Sequence, residues 1–121
     1  MPSNGLNKVI LIGALAEEPR LKTTGEGRVR LLLRLHTIES YNDRAGLERE
    51  SHGWHDVVVW GTRGEALSRY LHKGRRLAVE GRLHGYKTDG DPPRWRSEVV
   101  ARNVVVLDQD ASEVEAERSA A

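Results

Sequence analysis

Thr62-Arg63-Gly64-Glu65-Ala66-Leu67-Ser68-Arg69-Tyr70-Leu71-His72-Lys73-Gly74 is the stretch that decides the architecture of this 121-residue chain. Thr62 and Glu65 stand at the spacing of a capping box, in which the hydroxyl accepts from the Glu65 N–H and the carboxylate reaches back. Ala66, Leu67, Tyr70 and Leu71 recur at helical spacing, and Gly74 supplies a left-handed stop. The reading predicts one short helix of about three turns. Outward from it on both sides the periodicity changes to that of strands. Just before it, WHDVVVW (54–60) puts Trp54, Asp56, Val58 and Trp60 on one strand face and His55, Val57 and Val59 on the other. Further back, RVRLLLRLHT (28–37) splits at period two. Val29, Leu31, Leu33 and Leu35 form a core stripe; Arg28, Arg30, Leu32, Arg34 and His36 form a largely cationic one. The polar segment 41–51, with Gly46 inside it, reads as a long hairpin loop between these two strands.

NKVILIGAL (7–15) is a strand with a bend at Gly13, ended by Glu17-Glu18-Pro19 and followed by a turn at 23–27. After the helix, RRLAVEGRL (75–83) and RSEVVARNVVVL (96–107) are strands on either side of the turn-rich KTDGDPP (87–93). Three strands, a helix and two strands is the order of an all-β, five-stranded OB-fold barrel with one short helix between strands three and four. Closure of such a barrel gives Gly13 and Gly81 a purpose as sharp bends. An open antiparallel sheet crossed by a helix has the same periodicity.

Composition bounds the function. The chain has no cysteine, which excludes a disulfide framework, a zinc ribbon and a thiol nucleophile. No apolar run approaches the about 20 residues of a membrane span, and the N-terminus lacks a signal peptide's basic start and apolar stretch, so the expectation is a soluble, intracellular protein. The formal net charge of +1 conceals an asymmetry: residues 1–107 carry +5 and residues 108–121, DQDASEVEAERSAA, carry −4. The division is into a barrel domain, 1–107, and a short acidic tail, 108–121, too poor in apolar residues to offset its ordering entropy and therefore expected to be disordered.

Catalysis finds no support, and neither a catalytic residue, a metal nor a cofactor is expected. His52 and His55 are separated by an odd number, so on a strand they face apart and share no metal. GTRGEA lacks the Lys-Ser/Thr pair of a phosphate loop, and Asp89 and Asp91 have no further carboxylate to complete a calcium loop. Binding finds more. With no Phe in the chain, its aromatics can be placed singly: Trp54 and Trp60 share a face, and Tyr41, Tyr86 and Trp95 sit among polar residues near hairpin turns. They are interleaved with Arg28, Arg30, Arg34, Arg63, Lys73, Lys87, Arg94 and Arg96. Cations neutralise phosphates while rings stack on the free base faces of a single strand, each stack contributing about 1–3 kcal/mol.

The motifs NKVILIGAL with EEPRLK (7–22), WHDVVVWG (54–61), YLHKG (70–74), VEGRL (79–83) and RWRSEVVARNVVVL (94–107) together resemble the bacterial single-stranded DNA-binding proteins, homotetrameric OB-fold proteins that coat exposed DNA. The resemblance implies a cytoplasmic, nucleoid-associated protein of bacterial type that protects single-stranded DNA in replication, recombination and repair. It implies stacking roles for Trp54 and Trp60, aromatic positions at Tyr41, Tyr86 and Trp95, and basic positions along the DNA path at Lys8 and Lys73. It also implies a subunit-interface role for His55. The family's acidic tip with its terminal Pro-Phe is not matched by ERSAA, so recruitment of replication and repair proteins by that route is not expected. A dimeric primosome-type OB protein bridging replication-restart factors is the alternative, which mass in solution separates.

Overall fold

The computed structural model describes residues 4–107; the acidic stretch 108–121 lies outside the described residues. Six strands and a helix follow in order: β1 (Val9–Leu15), β2 (Arg20–Thr23), β3 (Val29–Asn42), β4 (Glu48–Trp60), α1 (Thr62–Leu67), β5 (Arg76–Lys87) and β6 (Trp95–Val106). The sheet runs β1-β5-β6-β4-β3-β2, and β1 also pairs with β3. That last pairing, Ala14 opposite His36 and Leu15 opposite Leu35, closes β1, β5, β6, β4 and β3 into a five-stranded barrel. One link of the ring is parallel, β4 with β6, and the others are antiparallel.

Alternation in the sequence becomes the inside and outside of this ring. Leu31, Leu33 and Leu35 of β3 are buried, as are Val57 and Val59 of β4. They meet Leu15, Leu77, Val79 and Val99 in one core. Val58 is also fully buried although it lies on the Trp54 face, where the register sets it beside Leu32 of β3 and Val100 of β6.

Two glycines let the ring close. A Cβ on Gly13 would stand 2.2 Å from the His36 carbonyl oxygen, at the point where β1 passes from β5 to β3. A Cβ on Gly81 would stand 2.1 Å from the Val100 carbonyl oxygen, beside an irregularity in the β5–β6 register. No side chain fits either place, which is what strand bends at these positions require.

Three sequence expectations are corrected. β2 was not foreseen; it joins the edge of β3 through Arg20–Leu32 to Thr23–Val29, outside the barrel ring. The segment 41–51 is not a long loop: β3 runs on to Asn42 and β4 begins at Glu48, so a polar two-stranded ribbon projects from the barrel. The helix is shorter than expected and has no capping box, for Gly61 is its N-cap, with φ 78° and no side-chain cap, and Thr62 is already helical. Backbone crowding accounts for the difference. Gly64 is pressed on the barrel, where a Cβ would lie 2.4 Å from the Val59 carbonyl oxygen. After Leu67 the chain tightens into turns and Gly74, at φ 91°, donates its N–H to the Leu15 carbonyl at 2.8 Å. Leu67 and Leu71 reach the core, while Tyr70 and Ala66 stay exposed.

Candidate nucleic-acid interface

The β3–β4 register converts two separate sequence stripes into one surface. Arg30 stands opposite Trp60, Arg34 opposite Asp56 and His36 opposite Trp54, all on the outer face. Directly opposed residues on an antiparallel pair touch, so cations of β3 and rings of β4 are forced together.

Trp54 is 53% exposed. The His36 ring lies against it, centroids 4.9 Å apart and planes within 14°. His52 joins them, its Nδ1 in a hydrogen bond with His36 Nε2 at 2.8 Å and its Nε2 3.1 Å from Glu50. The indole is thus braced on one side and half open to solvent. Beside it, Arg34 Nη1 donates to Asp56 Oδ1 at 2.8 Å. Trp60 is half-buried, with the Arg28 guanidinium 4.2 Å from its ring centroid. Tyr86 comes to this face from β5: with Arg20, Arg30, Arg34, Asp56 and Glu98 it lines a groove of about 200 Å³. Its ring lies 6.0 Å from that of His84, whose Nδ1 is 3.2 Å from Glu98.

Among the remaining sequence-predicted residues, Arg96 stands opposite Tyr86, while the period of two sets Tyr41, Lys87 and Trp95 on the other strand face. Tyr41, half exposed, sits opposite Arg49 on the projecting ribbon. Asp43 ties the ribbon's tip by accepting from the Ala45 and Leu47 N–H groups and from Arg49 Nε, at 2.9 to 3.0 Å. The Arg49 guanidinium, aided by these backbone donors, holds the Asp43 carboxyl below its ordinary range. Lys87, Arg94, Trp95 and Arg96 gather at the β5–β6 hairpin, with Trp95 opposite Lys87 and 75% exposed. Lys73 is exposed just before Gly74, its backbone N–H on Glu18.

Lys8 and Arg63 lie in a different cleft, of about 420 Å³, together with Arg82 and Arg102. There Lys8 pairs with Glu80 at 3.5 Å and Arg63 donates to the Arg102 carbonyl. His55 turns away from the Trp54 face, as its odd spacing predicts, and its Nε2 is 2.9 Å from the Thr37 hydroxyl. Among the described residues no group of three or more His, Asp or Glu is arranged to hold a metal.

His36, His52, Arg82 and Arg102 are additions to the sequence reading. Even spacing carries the signal for the first two, since His36 lies on the cationic stripe of β3 and His52 two residues before Trp54. Arg82 and Arg102 are brought together by the β5–β6 pairing, which has no local signature.

A surface of stackable rings set among guanidiniums on a small closed barrel suits flexible, unpaired nucleic acid. Comparison with known proteins agrees. Residues 6–107 match the family model described as the single-strand binding protein family. The single-stranded DNA-binding protein 1 of Chlorobaculum tepidum is 36% identical over 109 residues, covering 87% of this chain and 67% of that protein. The single-stranded DNA-binding protein of Rickettsia felis is 37% identical over 119 residues, covering 91% of this chain and 78% of that one. Among solved structures, the Plasmodium falciparum SSB in complex with ssDNA superposes with a TM-score of 0.81 at 31% identity, over 89% of this chain and all of that one. The wild-type Thermus aquaticus single-stranded DNA binding protein gives 0.77 at 33% identity, over 88% of this chain and 52% of that one. With its barrel, its β3–β4 face and a family match across almost all of the described residues, the chain belongs to the single-strand binding protein family.

Proposed function

We propose that this protein binds single-stranded DNA without reading its sequence, and protects it during replication, recombination and repair. The observation that carries the reading is the register of β3 on β4, which sets Arg30, Arg34 and His36 directly against Trp60, Asp56 and Trp54. Bases stack on Trp54, with Tyr41, Tyr86 and Trp95 extending the path; Arg30, Arg34, Lys73, Lys87, Arg94 and Arg96 meet phosphates along it. Trp60 contributes from under Arg28, and Lys8 and Arg63 contribute from the second cleft. The role is binding rather than catalysis, in the cytoplasm and on the nucleoid. No helix among the described residues is long and apolar enough to cross a membrane. Titrating oligo-dT against tryptophan fluorescence tests the reading: strong quenching is expected. Unchanged emission, together with no shift of a labelled strand at low salt, would dispose of it.

The Arg34–Asp56 pair makes a finer point. It holds a cation in place but also sets a carboxylate beside Trp54. Asp56→Asn is expected to tighten oligo-dT binding about two- to fivefold at low salt, the size of an exposed ion pair, and the gain should vanish at high salt. A loss of affinity would mean that positioning Arg34 outweighs the charge.

The working form is a homo-oligomer, a tetramer. Supporting this, Ile12, Ala78 and Val105 adjoin across β1, β5 and β6 on the outer face, with Ile12 and Val105 each 55% exposed and Ile10 65%. Such a row on a monomer would be an unusual apolar patch. His55 is a second contact point. Ile12→Lys is expected to lower the mass in solution by light scattering while leaving the barrel's circular dichroism unchanged. An unchanged mass would place the contact elsewhere.

A further inference from the structure

Trp60 is presented differently from Trp54. The Arg28 guanidinium stands 4.2 Å from the Trp60 ring centroid and the Arg30 guanidinium 5.9 Å. A guanidinium at that height occupies the place a stacked base would take. Both cations are uncommitted: among the described residues neither Arg28 nor Arg30 has a carboxylate partner, whereas Arg34 is paired with Asp56 and Lys8 with Glu80. The Arg30 Nε is in addition buried without a hydrogen-bond acceptor. Beside the ring lies an open groove of about 490 Å³, bounded by Gly27 and Arg28 on one side and by Gly61, Thr62 and Glu65 on the other.

We propose that Trp60 is a pedestal for a phosphodiester-binding site rather than a platform for a base. Its ring holds Arg28 and Arg30 in place, and the two guanidiniums take a backbone phosphate of the bound strand, while stacking falls to Trp54. The inference rests on the single-stranded DNA reading above. A guanidinium resting on a ring keeps its N–H fork free at the edge and has less rotamer freedom to lose when a phosphate arrives. Glu65, on the rim of the same groove, disfavours a phosphate at that end and directs it to the β3 side.

The test compares an oligo-dT with an abasic strand of the same length, whose deoxyribose-phosphate backbone carries no bases, across a range of salt. Arg28→Ala and Trp60→Ala are each expected to weaken both strands by the same factor. Each should flatten the slope of log K against log salt by about 0.7 or more, one phosphate contact on a single strand. Trp54→Ala should weaken oligo-dT alone and leave the slope unchanged. The double variant Arg28→Ala/Trp60→Ala should lose less than twofold beyond Trp60→Ala. The proposal is overturned if Trp60→Ala weakens oligo-dT only, or if Arg28→Ala tightens binding by uncovering the ring. Arg28 is exposed and its truncation leaves the core untouched, so this arm decides the question even where Trp60→Ala folds poorly. Failure of the unmutated protein to bind either strand would instead remove the single-stranded DNA reading, and this inference with it.

Discussion

Trp54→Ala is expected to lower affinity for oligo-dT by roughly 5- to 150-fold, the loss of one base–indole stack of about 1–3 kcal/mol. The loss should be the same at every salt concentration, because stacking releases no counterions. Two structural features put this residue ahead of the other rings. Its indole is 53% exposed, so a base has room to meet it. It is also braced by His36 at 4.9 Å, so little of its freedom remains to be lost on binding. Being outside the core, it can be removed without unfolding the barrel, and the circular dichroism of the variant should match that of the parent. Affinity measured at low and high salt, together with that spectrum, checks the expectation. A decrease confined to low salt would reassign Trp54 to a role in placing charge.

The largest effect on stability is expected from the smallest side chain. Gly81→Ala adds a methyl group 2.1 Å from the Val100 carbonyl oxygen and 3.0 Å from the Ala101 Cα. Both obstacles are backbone atoms of the neighbouring strand, which cannot rotate aside as a side chain would. Relief requires β5 and β6 to separate where they help close the ring. The expected cost is about 3 kcal/mol, at the upper end for overpacking, and a fall in Tm of roughly 12–24 °C for a domain of this size. Gly85→Ala is the control on the same strand. There the nearest atom is 3.9 Å away, and removing the glycine's backbone freedom should leave the protein unchanged or stabilise it by up to about 1 kcal/mol. Melting both variants at one protein concentration keeps oligomerisation from confounding the comparison.

The core was legible in the sequence because alternation in β3 and β4 has one cause, burial of one face, and a period of two reports it directly. Gly13 and Gly81 were legible for a related reason, since a glycine in an apolar strand has few uses other than close approach. β2 was not legible: its four residues are all exposed and stand only because β3 offers them an edge. The ribbon at 41–51 carries no strand signal in the sequence because its strands project from the barrel, where polar residues on both faces erase the alternation. The capping box failed because tertiary contact overrode a local preference, with Gly61 taking the turn that Thr62 was expected to make. At the interface, the shared face of Trp54 and Trp60 could be read from one strand alone. The difference between them could not. It arises from which β3 residue each ring faces, His36 or Arg30, and cross-strand register has no signature in either strand by itself.

The closing strand has a further consequence, for the birth of the chain rather than its finished form. β1 pairs with β5 along six residues and with β3 along two, so the strand synthesised before all the others must wait for the one made after the helix. Until then VILIGAL is an uncharged, β-prone segment with the edge that takes β5 still open, the kind of sequence that joins its counterpart in a neighbouring nascent chain. Ring closure between distant segments also belongs to the slow class of folding events, milliseconds to seconds rather than microseconds. The ring can close only once β6, which bridges β5 to β4, has also been made, and misassembly has its opening in the interval between the ribosome's delivery of β1 and of β6.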